Sequence, residues 1–496
     1  MLSNVDSLHY ILPEAILTAT IVVLFLLNFV TSKREQGMGN VIANIALLGT
    51  ILSVVVVVMN AAQEPAALFM GMATFDGLGD FFKVVFGVAA CIVIIMSQKS
   101  RELENADAFS YYILILTLTM GMNFLAMASN LLMVYLALET VSITSYLLTG
   151  YVGKVRRSSE AALKYVIYGG VASGVMIYGF SLLYGLTGTL ELSGIAEFLR
   201  FNPVDRTVLF FALILALTGF GFKIAAFPFH MWSPDVYEGA PTPFTAFLSV
   251  GPKAAGFAVL IRFIVTGLMY PEGDQFFDIK SLGVSEVIAL IAVATMTVGN
   301  LVALVQDNMK RLLAYSSIAH AGYMLMALAA LNQEAISAIM FYLVVYGVMN
   351  LGAFLVVIIV VNQFGVEDLE GYKGLSRRGT AGALVAVAMA IFMFSLTGIP
   401  PMAGFVGKFY LFGAVIRGGL YWLALIGALN SVISLYYYVR VVKVMFFDEP
   451  ADETILAKPG FRYSTVLAAL AILTVYLGIF WQPLASWVQA SAHIMQ

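Results

Sequence analysis

Apolar runs long enough to cross a bilayer recur from one end of this chain to the other. A spanning helix needs about 20 predominantly apolar residues. In lipid only helices and closed barrels satisfy their own backbone hydrogen bonds. Such runs fall near residues 11–31, 41–60, 79–97, 109–127, 131–150, 161–188, 207–228, 240–267, 285–304, 311–330, 337–362, 380–398, 421–446 and 463–481. A further apolar stretch, 402–416, reads as the second half of the twelfth. The pattern predicts an all-α polytopic membrane protein with fourteen spans and no room for a soluble domain. Composition agrees: 11% of residues are charged, against roughly 25% in soluble domains. A net charge of −3 gives no basic footprint for nucleic acid. The single cysteine, Cys91, excludes disulfides, cysteine-held iron–sulfur clusters and thiolate zinc sites. The first run, residues 11–30, lacks a basic region before it and is long enough to span, so it is expected to stay as a helix and not be cleaved.

Loop charges set an orientation. Lys33, Arg34, Lys99, Arg101, Lys154, Arg156, Arg157, Lys310, Arg311, Lys373, Arg377, Arg378, Lys458 and Arg462 follow odd-numbered runs or edge those connections. Connections after even-numbered runs carry only Arg200, Arg206, Lys280 and Arg417. The positive-inside rule makes the first set cytoplasmic. Both termini then lie on the outer side, which requires an even number of spans. The outer loop 189–206 is expected to hold a short interfacial helix, and the cytoplasmic loop 363–379 reads as polar and glycine-containing.

Four charges sit deep inside these runs: Glu139, Lys223, Lys253 and Lys408. A charge at the bilayer centre costs about 2.5–3.5 kcal/mol on insertion scales, and such residues mark ion or proton paths. The structural alternatives are snorkelling for the lysines and a hydroxyl hydrogen bond for Glu139. A Glu139–Lys223 pair would give a lysine whose protonation is switched by moving its partner. Two runs are also interrupted, the seventh at Phe227-Pro228 and the twelfth at Pro400-Pro401. Proline removes a helix hydrogen bond, and paired broken helices in corresponding halves point to a transport site on inverted repeats. Lys223 precedes its break and Lys408 follows its own, so opposite helix directions put both on the same side.

Other polar residues divide less cleanly. Lys164 lies within reach of the cytoplasmic end and reads first as snorkelling, second as an auxiliary relay. Lys83 and Asp80, one turn apart, are expected to pair. His230 and His320 are the histidines within runs, and a relay through water suits both better than haem ligation. Ser142, Thr144, Ser145, Ser316, Ser317 and Thr397 are able to hold such water, or serve helix packing. No P-loop and no dinucleotide fingerprint occurs. The chain is expected to move charge while something else drives it.

Three segments are specific: GFKIAAFPFHMWSPDVYEGAPTP (221–243), NMKRLLAYSSIAHAGY (308–323) and LTGIPPMAGFVGKFYLF (396–412). They resemble those of the antiporter-like membrane subunits of respiratory complex I, over roughly residues 70–450. The resemblance implies fourteen spans, with spans 4–8 and 9–13 as inverted repeats, each with a broken helix. The chain then divides into a three-helix segment 1–108, repeats 109–267 and 285–447, and a final span in 448–496. It implies a proton path of Glu139, Lys223, Lys253 and Lys408, coupled to electron transfer from NADH to quinone elsewhere in the complex. Cofactors on this chain would be none, with NADH, FMN, iron–sulfur clusters and quinone in partner subunits. Partners would be the other antiporter-like and small membrane subunits and lipid, in a bacterial inner membrane. The short tail sets the chain apart from the largest such subunit. Lys408, where the middle one usually has glutamate, points to the member nearest the quinone-binding part. Multisubunit sodium/proton antiporters and membrane-bound hydrogenases share the scaffold and stay as alternatives.

Overall fold

The structure, a computed structural model, describes residues 2–30, 38–61, 63–153, 155–450, 454–492 and 494. Lys33, Arg34 and Lys154, used above for orientation, lie outside these. Fourteen long helices follow one another: α1 Leu12–Val30, α2 Gly39–Asn60, α3 Gly77–Ser97, α4 Ala108–Met127, α5 Leu131–Thr149, α6 Arg156–Thr187, α7 Arg206–Ile224, α8 Thr242–Gly267, α9 Val284–Ala303, α10 Met309–Leu328, α11 Gln333–Phe364, α12 Gly379–Thr397, α13 Tyr421–Phe446 and α14 Phe461–Ile479. Among the described residues, thirteen of these are long and apolar enough to cross a membrane. The one that is not, α10, carries Lys310, Arg311, Ser316, Ser317 and His320. Among the described residues it is buried along nearly its whole length, so neighbouring helices rather than lipid solvate its polar groups.

Side-chain caps fix several helix starts. Asp76, Asp107, Asn130, Asp205, Asn308 and Asn332 each accept a hydrogen bond from the first turn of α3, α4, α5, α7, α10 and α11. An Asp or Asn at this position satisfies donors that lipid cannot. Burial then sorts the helices. Every residue of α8 is buried, its charged Lys253 and Arg262 included. It packs on α3, α4, α5, α7, α10 and α11. Helices α1 and α2 leave much of their surface exposed, as lipid-facing helices do. Helices α9 and α10 approach closely at Gly299 and Gly322, where a Cβ would stand 2.6 Å from the Ala319 nitrogen and 2.5 Å from the Met296 nitrogen. Small residues permit such contact in membrane bundles.

Both expected breaks are present. After α7 the chain turns at Ala225 (φ +58°), passes Pro228 and forms a short helix, Trp232–Gly239. After α12 it turns at Gly398 (φ +90°), passes Pro400 and Pro401, and continues as the half-helix Ala403–Arg417. The freed backbone groups find partners, as burial in lipid demands. Phe227 N–H donates to Thr295 Oγ1 at 3.0 Å, and the Phe222 carbonyl accepts from Trp232 Nε1 at 3.1 Å.

The loop 189–206 holds the helix Leu192–Phe201. Among the elements not anticipated are three that frame the bundle ends. Two are antiparallel hairpins: β1 Ala66–Leu68 with β2 Ala73–Phe75, and β3 Met269–Glu272 with β4 Gln275–Asp278. The third is the helix Gln482–Ser491 after the last span.

Candidate functional site

Lys223, Lys253 and Lys408 are 3%, 2% and 5% exposed, so none of them snorkels. Each is held from a different pair of elements. Lys223, in the last turn of α7, donates to Ser142 Oγ of α5 at 3.2 Å. Lys253, on α8, donates to the Ser317 carbonyl of α10 at 2.8 Å and makes a short contact with Ser317 Oγ. Lys408, on the half-helix Ala403–Arg417, donates to the Thr397 carbonyl at 2.8 Å and to Ser431 Oγ of α13 at 3.0 Å. Its ammonium also lies 4.9 Å from the centre of the Tyr323 ring. The Thr397 carbonyl is at the C-terminal end of α12, where the helix dipole favours a cation.

The break after α12 shapes the Lys408 pocket directly. Lys408 folds back over Gly398, whose hypothetical Cβ would stand 2.9 Å from Lys408 Cδ. Glycine is therefore needed twice there, for its positive φ and for the space.

The expected Glu139–Lys223 ion pair is not formed. Glu139, half-buried on α5, accepts a short hydrogen bond from Ser173 Oγ of α6. Ser142, one turn further along α5, takes the lysine instead. Residues three apart share a helix face, so Ser142 stands beside Glu139 and intercepts the ammonium. Thr144 and Ser145 bond to carbonyls of their own helix and belong to α5 itself.

Between Lys253 and Lys408 runs a chain of groups that both donate and accept. Ser316, the neighbour of Lys253's partner, lies 2.5 Å from Tyr438 OH of α13. Tyr438 OH lies 2.9 Å from His320 Nε2, and His320 Nδ1 lies 2.6 Å from Tyr342 OH of α11. A neutral imidazole has one donor and one acceptor nitrogen, so one phenol accepts from it and the other donates. Tyr342 packs against Gly407, beside Lys408, where a Cβ would stand 2.6 Å from its ring. A second polar group surrounds this end: Asn300 donates to Tyr323 OH at 3.0 Å and accepts from Tyr437 OH at 3.0 Å. The sequence singled out His320 but not Tyr342 or Tyr438. Both are ordinary aromatic residues of apolar helices until packing aims them at an imidazole.

Two candidates lie apart from this row. His230, in the break after α7, stacks on Phe227 with ring centres 5.6 Å apart. Lys164 is tied to Asp235 at 2.6 Å and Glu160 at 2.8 Å. Arg311 closes the same cluster onto Asp235 at 2.6 Å and Glu238 at 2.9 Å. Lys310, read from sequence as a loop charge, is buried and paired with Glu367 at 3.0 Å. Lys83 does not pair with Asp80. Its partner is Glu14 of α1 at 3.1 Å.

Residues 128–434 match a model of the transmembrane family described as NADH:quinone oxidoreductase/Mrp antiporter. The chain is 45% identical to NADH-quinone oxidoreductase subunit N of Anaeromyxobacter sp. (strain Fw109-5), covering 99% of this chain and 98% of that protein. It is 42% identical to the protein of the same name from Chlorobium chlorochromatii (strain CaD3), covering 98% and 95%. It superposes with a TM-score of 0.80 and 32% identity on a chain of respiratory complex I from Thermus thermophilus with bound aureothin, covering 97% and 100%. A chain of the Mrp complex from Dietzia sp. DQ12-45-1b gives a TM-score of 0.80 at 20% identity, covering 98% and 97%, which is a likeness of fold alone.

Proposed function

We propose that this chain, which belongs to the NADH:quinone oxidoreductase/Mrp antiporter transmembrane family, works as a proton-translocating membrane-arm subunit of NADH:quinone oxidoreductase, of the subunit N type. The observation that carries the reading is the row of three buried lysines, each hydrogen-bonded to hydroxyl or carbonyl oxygen and linked in part by a phenol–imidazole–phenol chain. Buried ammonium groups held by neutral partners are poised to lose and regain a proton. Hydroxyl and imidazole groups between them accept and donate in turn. In this reading Glu139 biases Lys223 through the Ser142 face of α5, Lys253 passes protons along α10, and Lys408 is the distal station. Lys164 anchors a charged surface cluster, and His230 lines the break without joining the row.

The same reading makes spans 4–8 and 9–13 inverted repeats, each containing one break. It leaves electron transfer to partner subunits carrying flavin, iron–sulfur clusters and the quinone site, with no redox centre on this chain. It places the chain in a bacterial inner membrane beside other antiporter-like and small membrane subunits, with both termini outside. A place in an Mrp-type antiporter is the competing assignment, because the family description spans both. The native assembly, purified through a tag on this chain, separates them. Bound flavin and iron–sulfur absorbance support the first, and an assembly of membrane subunits free of both supports the second.

A further inference from the structure

The α3 end where both termini lie carries ionisable residues that the lysine row does not use. Leu2 bonds to Ala67 of β1 at 3.0 Å. The helix Gln482–Ser491 reaches Gly77, where a Cβ would stand 3.1 Å from the Ser491 carbonyl oxygen. Behind this cap are Glu14 of α1, Asp76, Asp80 and Lys83 at the start of α3, and Arg262 of α8, with exposures of 1%, 3%, 8%, 2% and 1%. Arg262 grips Asp76 with two bonds of 2.7 and 2.8 Å and also reaches the Ala126 carbonyl at 3.0 Å, so this pair is complete. The other three are not. Lys83 Nζ lies 3.1 Å from Glu14 Oε1, yet neither makes a directed hydrogen bond among the described residues. Asp80, three residues from Lys83 and four from Asp76, shares their helix face and forms no ion pair among the described residues.

Three carboxylates thus face two cations in a buried space. Among the described residues no neighbouring element supplies the missing charge, and Asp6 and His9 before α1 are exposed. The helix Gln482–Ser491 and α2 have no ionisable residue, and α4 has only Tyr111 and Tyr112 in its opposite first turn. Glu334 of α11 is paired with Arg417. Arg462 and Tyr463 of α14 are in its first turn, and Tyr476 is half exposed. On α8 the other cation, Lys253, is nine residues from Arg262, about 13 Å along the helix. A surplus buried carboxylate is held far more cheaply with a proton than as an anion. The unsatisfied oxygens and ammonium hydrogens call for water in the same space.

We propose that Glu14, Asp80 and Lys83 form a second proton site, at the termini-bearing end of the bundle, which holds one proton across its two carboxyl groups and exchanges it with the adjacent aqueous phase through Asp80. Asp80 is the least enclosed of the three. On release the proton passes from the Asp80 carboxyl to water as hydronium, and Lys83 faces the carboxylate left behind. On loading the reverse occurs. The role as a release station for translocated protons rests on the function proposed above, whereas the protonated carboxyl does not.

The test uses the intact complex reconstituted in vesicles. Redox-induced infrared difference spectra in the carbonyl region of protonated carboxylic acids are compared for wild type, Asp80→Asn and Asp80→Glu, alongside protons moved per electron. The proposal expects a carboxyl band that changes on turnover, is lost in Asp80→Asn and returns shifted in Asp80→Glu, with the proton-to-electron ratio lowered in the first and restored in the second. If Asp80→Asn fails to assemble, the paired Glu14→Gln/Lys83→Met variant carries the test and should shift that band. A spectrum and ratio indistinguishable from wild type in whichever variant assembles overturns the site and makes the cluster a structural staple. Lys223→Ala serves as the control: reduced pumping there with a silent Asp80 rejects this site alone, and normal pumping there rejects the functional reading instead.

Discussion

At the scale of single residues, the lysines announce themselves because lysine inside an apolar run is expensive, and the structure places all three out of solvent. Their partners were not legible. Ser317, Tyr342 and Tyr438 matter through where packing points them, and Ser142 displaces Glu139 from Lys223 by a matter of one helical turn. Glu14 was missed for a simpler reason: near the end of an apolar run, a carboxylate reads as a boundary residue. Two outcomes follow at this scale. Lys408→Arg should pump as poorly as Lys408→Ala, because guanidinium keeps its charge and cannot hand on a proton. Full activity of the arginine variant in a pumping assay would show that a fixed charge suffices and would remove Lys408 from the path. Glu139→Gln preserves shape and removes charge, so it should lower pumping if the carboxylate biases Lys223. Wild-type rates in that variant would reduce Glu139 to a partner for Ser173.

Among the elements, thirteen of the fourteen long helices were legible because each is an apolar run, often begun by an Asp or Asn cap. The breaks were legible because proline cannot continue a helix. The two hairpins were not, being strands of three or four residues without a sustained period of two. Nor was the complete burial of α8, since a mostly apolar helix facing lipid and one facing protein read alike. The break after α12 yields the sharpest expectation. Gly398→Ala places a side chain at φ +90°, against Lys408 Cδ. A left-handed residue costs about 1–2 kcal/mol before any clash. The variant should lose thermal stability in detergent and pump less, because Lys408 must leave the Thr397 carbonyl. Unchanged melting and pumping would mean that the break relaxes freely and does not fix the lysine.

For the molecule as a whole, length and hydropathy gave the polytopic all-α class, and three segments totalling fewer than sixty residues gave the resemblance on which the family was first expected. What sequence could not give is the third dimension of the path: α10, too polar to count as a span by itself, becomes the element that joins Lys253 to the groups around Lys408. The central claim is that this row, and not a fixed scaffold, moves protons. Lys223 offers the cleanest removal, since among the described residues its hydrogen bond is to a serine hydroxyl that Lys223→Ala leaves free to bond elsewhere. The measurement is the number of protons translocated per electron by the purified complex in sealed vesicles, wild type against Lys223→Ala. The account requires an assembled complex with a strongly reduced ratio. An assembled complex with the normal ratio would contradict it.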